Sequence, residues 1–234
     1  MKRITWLSAH ESQEWFPPLE QALDEPAGLL AAGGDLSSER LLAAYRRGIF
    51  PWYSPGQPVL WWSPDPRTVL FPAEFRLHRS LAKTIRNKGL EISVDQQFEA
   101  VIDACAAPRG RSPGTWITAE MRAAYVRLHE LGFAHSIEVT HRGELAGGLY
   151  GVRLGGVFFG ESMFCRARDG SKVALAQLVM MCAGNGIALI DCQMPSAHLA
   201  SLGARAIPRG HFQALLERWV HLEAVALQRP APQD

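Results

Sequence analysis

With 234 residues, 47% of them hydrophobic and 20% charged, the chain is long enough to bury a core and too apolar to be disordered. Its formal net charge is +1, so the overall balance points to no polyanionic or polycationic partner, and only local charge can make that argument. The four cysteines, Cys105, Cys165, Cys182 and Cys192, form no CxxC pair. That argues against a zinc ribbon or thioredoxin-like site and predicts buried free thiols in a reducing compartment. The first residues, MKRITWLSAH, lack the apolar stretch of a signal peptide. The longest apolar run, VALAQLVMMCA, is broken by Gln177 and is too short to span a bilayer, so a cytoplasmic protein is expected.

Residues 1 to 65 are rich in Pro, Gly and Trp and predict a small N-terminal domain. Its clear helix lies near LSSERLLAAYRRG, capped by Ser37 or Ser38 and stopped by Gly48. The connector FPWYSPGQPVLWWSPDPR holds five prolines and three tryptophans, which permits only short strands. From residue 66 to 234 the pattern is more regular. A short strand at VLFP is followed by a helix over HRSLAKTIRNKG, an alternating strand LEISVD and a helix FEAVIDACA. After the loop PRGRSPG comes a helix capped by Thr118. Antiparallel strands then run from Ser136 to Phe164, and a helix follows Ser171. A strand ALIDCQ, a helical turn HLASLG and a last helix HFQALLERWV complete the order, with a frayed tail RPAPQD. Strands and helices mixed in this way predict an α+β sheet domain with helices on its faces.

Two apolar runs end in polar groups, Glu161 after VFFG and Asp191 with Gln193 in IDCQ. Carboxylates at the ends of buried strands are costly unless they have a function, although an edge strand with a polar face explains Glu161 equally well. Gly160 beside it permits a bulge. Asp191 and Gln193 alternate, so their side chains are expected on one face, with the carboxylate accepting from the amide. The stretch RLHRSLAKTIRNKG holds Arg76, Arg79, Lys83, Arg86 and Lys88 and no acid. Arg79, Lys83 and Arg86 share a helix face that is either simply solvated or suited to a phosphate backbone. Trp52, Trp61, Trp62 and Trp116 fall in loop-like sequence, where an indole braces the chain or stacks on a base. Gly33-Gly34-Asp35 lacks the Lys and Ser/Thr of a P-loop, and the eight histidines show no HxxxH or HxH spacing, so no metal is expected.

The strings LLAAGGDLS, RGIFPWYSPG, LWWSPDPR, TWIT, LHELGFAHSIEV, GGLYGV, GESMF, SK, IDCQ and HLASLGA occur in one unbroken order over roughly residues 16 to 220. Together they resemble the leucyl/phenylalanyl-tRNA–protein transferase family. The resemblance implies a GNAT-like (N-acyltransferase) C-terminal domain and a bacterial enzyme of the N-degron pathway; nothing in the sequence demands more than a monomer. It would move leucine or phenylalanine from charged tRNA to an N-terminal Arg or Lys, with no cofactor, neither acyl-CoA nor ATP. It further implies that Asp191 orients Gln193, that Gln193 positions the attacking amine, and that Glu161 binds amines at the reaction centre. Leu149, Phe158, Met163 and Leu175 would line the side-chain pocket. Leu178, where some relatives carry an aromatic, would touch the same ligand. Trp52 and Trp116 match positions for the terminal adenosine, and Arg76, Arg79, Lys83 and Arg86 would hold the acceptor stem. Replacing Asp191 is then expected to abolish transfer with the fold intact. Two alternatives stand beside this one. An acetyl-CoA-dependent acetyltransferase would need a Q/R-x-x-G-x-G/A loop, and neither Arg86-x-x-Gly89-x-Glu91 nor Arg111-x-x-Gly114-x-Trp116 ends correctly. A non-catalytic tRNA-binding protein leaves Glu161, Asp191 and Gln193 unexplained.

Overall fold

A computed structural model describes residues 2–8, 11–87, 89–108, 115–223 and 227. Lys88, the loop residues 109–114 with their Arg111/Gly114 pattern, and the tail RPAPQD lie outside the described residues. Among those described, no helix is long and apolar enough to cross a membrane.

Two sheets organise the chain. The smaller takes β1 (Thr5–Leu7), β2 (Leu29–Gly33), β3 (Phe50–Pro51) and β4 (Leu60–Trp62), in the order β1-β2-β4-β3. Helix α1 (Ser38–Arg46) follows β2, and Ser37 caps it by accepting the Arg40 N–H. The larger sheet uses β5 (Arg67–Leu70), β6 (Leu90–Val94), β7 (Ala134–His141), β8 (Glu144–Leu154), β9 (Val157–Cys165), β10 (Leu189–Gln193) and β11 (Arg205–Ile207). Its order is β11-β5-β10-β9-β8-β7-β6, and only β9 and β10 run parallel within it. The expected α+β architecture is therefore the one observed.

Helices cover both faces of the large sheet. On one side α1, α3 (Phe98–Ala106), α4 (Ala119–Glu130) and α7 (Arg209–Trp219) enclose a core that includes Tyr45, Tyr125, Phe159 and Phe212. Buried residues of the small sheet, Trp61 among them, belong to the same core. On the other side α2 (Arg79–Asn87) and the apolar α5 (Gly170–Cys182) pack over Ile137, Leu149, Phe158 and Ile190. Helix α5 can lie close because Gly147 and Gly170 meet there; a Cβ on Gly147 would stand 2.4 Å from the Gly170 backbone. Helix α6 (Ala197–Ser201) caps itself through Ser196.

Several expectations need correction. Strands β1 and β11 escaped the sequence because three residues are too short to show a period, and β2 because it is buried along its whole length and shows no alternation; cross-strand pairing defines all three. Trp61 is a buried strand residue rather than a loop residue, and its indole N–H donates to the Gly33 carbonyl at 2.9 Å. Helix α5 begins at Gly170, so Ser171 lies inside it. The thiols are not all buried: Cys165, at the end of β9, is exposed and Cys192 is half-buried. Cys105 and Cys182 are buried as expected.

Candidate active site

The site lies where the two parallel strands separate. β9 and β10 pair from Val157/Leu189 to Phe159/Asp191 and then diverge. β9 continues along β8 to Cys165. β10 turns toward β5, with a register break between Asp191 and Gln193 and a left-handed φ of 60° at Gln193. β8 and β9 also slip, so that Tyr150 faces Ser162 and Gly151 faces Gly160, which leaves Glu161 as the extra residue. Such a bulge re-aims its side chain. Gly151 permits the slip, since a Cβ there would lie 2.2 Å from the Phe159 carbonyl oxygen.

Glu161 points into the core beneath the break and is held from three sides. Tyr45 of α1 donates to Oε1 at 2.7 Å and Tyr125 of α4 donates to Oε2 at 2.8 Å. The Gln193 amide donates to Oε1 at 2.9 Å, and the two phenols lie 2.5 Å apart. Burial pushes the Glu161 carboxyl up to about 7, and the Asp191 charge adds to this. The Tyr45, Tyr125 and Gln193 hydrogen bonds pull the other way and keep it from rising further. Burial and the neighbouring carboxylate push both phenols well above their ordinary range, so they remain protonated donors.

Asp191 is engaged elsewhere. Its carboxylate takes both arms of the Arg67 guanidinium, at 2.8 and 2.6 Å, and both residues are fully buried. Arg67 also donates to the Gly48 carbonyl and lies against the Phe50 and Phe212 rings, 4.8 Å from each centroid. The expected bond from the Gln193 side chain to Asp191 is absent. Asp191 instead accepts the Gln193 backbone N–H at 2.9 Å, and the amide side chain reaches Glu161. Regular alternation fails at the register break, which sends the two side chains to different partners.

Above Glu161 lies a cavity of about 320 Å³. Leu149, Phe158, Met163, Leu175 and Leu178 form its apolar wall, and Glu161, Asp191 and Gln193 its polar end; Trp116 and His198 also line it. Trp52, 43% exposed, joins Trp116, Glu161 and Gln193 around an adjoining hollow of about 180 Å³. Arg76, Arg79, Lys83 and Arg86 face solvent and make no ion pair among the described residues. Among those residues no group of three or more His, Cys, Asp and Glu is disposed to hold a metal ion. Sequence reasoning missed Tyr45, Tyr125 and Arg67. The tyrosines read as ordinary core positions of amphipathic helices. Arg67 left one signal, a lone cation opening the apolar strand RTVL.

An apolar pocket that ends in a buried carboxylate near neutrality, with an amide bonded to it, suits a transferase that brings an amine to an acyl group. Residues 69–217 match the sequence model of leucyl/phenylalanyl-tRNA protein transferase, and residues 34–65 match that of its N-terminal domain. The chain belongs to this family of aminoacyltransferases. It is 60% identical, over 94% of its length and 96% of the relative's, to the leucyl/phenylalanyl-tRNA–protein transferase of Pseudomonas entomophila. It is 57% identical to that of Stutzerimonas stutzeri, over 99% and 98%. Among solved structures, a GCN5-related N-acetyltransferase from Kribbella flavida overlaps 70% of this chain and 58% of its own, at 12% identity and a TM-score of 0.37. L-PGS from Bacillus licheniformis overlaps 69% and 52%, at 11% identity and the same TM-score.

Proposed function

We propose that this protein transfers leucine or phenylalanine from charged tRNA to the N-terminal Arg or Lys of acceptor proteins, as a cytoplasmic monomer, so that the product is recognised for degradation. The observation that carries the site assignment is the juxtaposition of Glu161, a titrating carboxyl held by Tyr45, Tyr125 and Gln193, with an apolar cavity of about 320 Å³.

In the reaction a neutral α-amine attacks the ester carbonyl. The C–N bond forms, the ester C–O bond breaks, the amine loses a proton and the leaving ribose hydroxyl gains one. The apolar wall takes the donor side chain, and at ~25 cal/mol per Å² it favours Leu and Phe over Ala by a few kcal/mol. Met163 lets one wall fit both shapes. Glu161, charged above about pH 7, attracts the amine. Gln193 spends its amide N–H₂ on Glu161, which aims the amide oxygen to accept a hydrogen from the attacking amine. Asp191 is a positioning residue: with Arg67 it fixes the left-handed backbone of Gln193 through the N–H it accepts. Trp52 and Trp116 offer aromatic faces for the terminal adenosine, and the α2 cations hold phosphates of the acceptor stem.

The test is transfer of radiolabelled leucine from charged tRNA to a protein with N-terminal Arg, without ATP or CoA. Label in the acceptor is expected. A folded protein that binds tRNA and transfers nothing refutes the assignment.

A further inference from the structure

Three cavities adjoin at this site. The central one holds Glu161 and the apolar wall, and the second is the hollow between Trp52 and Trp116. The third, about 710 Å³, shares Met163 and His198 with the central cavity and adds Arg166 and Ser171. Among the described residues no carboxylate lines it.

His198 stands at the junction of the first and third. Its Nε2 is hidden from solvent and has no hydrogen-bond partner among the described residues. A buried polar atom left unpaired costs free energy, and a ligand atom that pairs with it removes the cost. Burial and the Lys172 charge lower the basicity of the imidazole, against the opposing pull of Asp169, so the ring is neutral at pH 7. Asp169 is occupied by Lys172 at 3.2 Å and Arg168 at 3.8 Å. Arg166 is exposed, lies 5.5 Å from the centre of the Phe164 ring, and makes no ion pair among the described residues. This end of the site therefore offers a neutral N–H and one cation, Arg166, whereas the Glu161 end offers a carboxylate. It suits an anion and disfavours an amine.

A 3′-aminoacyl nucleotide has three branches on its ribose: the acyl group, the base and the 5′-phosphate. The proposed donor already assigns the first to the central cavity and the second to the tryptophans, and the inference rests on that assignment. We propose that the third cavity receives the phosphodiester on the 5′ side of the terminal adenosine. His198 Nε2–H donates to a phosphate oxygen there, and Arg166 supplies the charge.

The experiment compares two donors, leucyl-adenosine, which has no phosphate, and leucyl-CpCpA, which has two. Transfer to an N-terminal Arg peptide is measured for wild type, His198→Ala, His198→Gln and Arg166→Gln. With leucyl-CpCpA, KM is expected to rise roughly tenfold to a hundredfold for His198→Ala and for Arg166→Gln, the range for a charge-assisted hydrogen bond. With leucyl-adenosine the rise should be at least tenfold smaller. His198→Gln, which keeps an N–H donor, should recover part of the loss. Arg166 is on the surface, so its variant reports even if His198→Ala folds poorly. Equal losses on both donors, or none on either, would overturn the inference while leaving the donor assignment in place. Wild-type protein inert to both donors would remove the donor assignment and this inference with it.

Discussion

Glu161→Gln tests the electrostatics of the site without any substrate. In the folded protein the carboxyl titrates at about 7, against an ordinary value of 4.5. Between those values the folded state binds more protons than the unfolded one, so this group lowers stability as pH rises. Below about pH 4.5 both states are protonated and there is no cost. Above about pH 8 the full cost applies, roughly 3 kcal/mol for a carboxyl moved from 4.5 to about 7. From pH 5.5 to 8.5 wild type should thus lose about 2 kcal/mol that Glu161→Gln does not lose. The other titrating groups are common to both proteins and cancel. Urea denaturation of both proteins at the two pH values measures the gap directly, provided the m-values agree. A gap that stays constant between pH 5.5 and 8.5 would show that Glu161 does not titrate with a raised pKa, and the proposed pH control of amine binding would fall with it.

The remaining predictions concern the groups around that carboxylate and the surface. Transfer that needs the charged form of Glu161 should rise with pH as that carboxyl ionises; Tyr125→Phe and Tyr45→Phe each remove a donor that holds the carboxyl down, so this rise should move to higher pH in both, and an unmoved profile would separate these phenols from the chemistry. Asp191→Asn leaves the buried Arg67 charge uncompensated and should cost about 3–5 kcal/mol, read as a lowered denaturation midpoint. This replaces the expectation that Asp191 can be removed with the fold intact, and a stable, inactive Asp191→Asn would restore it. If three phosphates are neutralised by Arg79, Lys83 and Arg86, log affinity for tRNA should fall against log salt with a slope of roughly −2 to −3, and reversing those charges should flatten it. A slope unchanged by the substitutions would assign the contacts elsewhere.

Elements whose signals are local were legible in the chain alone. The helices α1, α3 and α4 follow from apolar spacing and from caps such as Ser37 and Thr118, which act within three residues of themselves. The strands β7, β8 and β9 follow from apolar runs broken by glycine, and the strings from LLAAGGDLS to HLASLGA identified the family resemblance. Glu161 and Gln193 drew attention as polar groups at the ends of apolar runs. What those groups touch depends on contacts between distant parts of the chain. Glu161 meets Tyr45 and Tyr125, which are 116 and 36 residues away along the chain, and Asp191 meets Arg67 at a separation of 124. Such pairs leave no periodic trace, because a tyrosine on the buried face of a helix looks the same whether its hydroxyl meets a carboxylate or water. The bulge at Glu161 and the left-handed turn at Gln193 are likewise consequences of two strands separating. A single residue of slip in register there sends a side chain to a different partner. It gave the Gln193 amide to Glu161 and left Asp191 to Arg67.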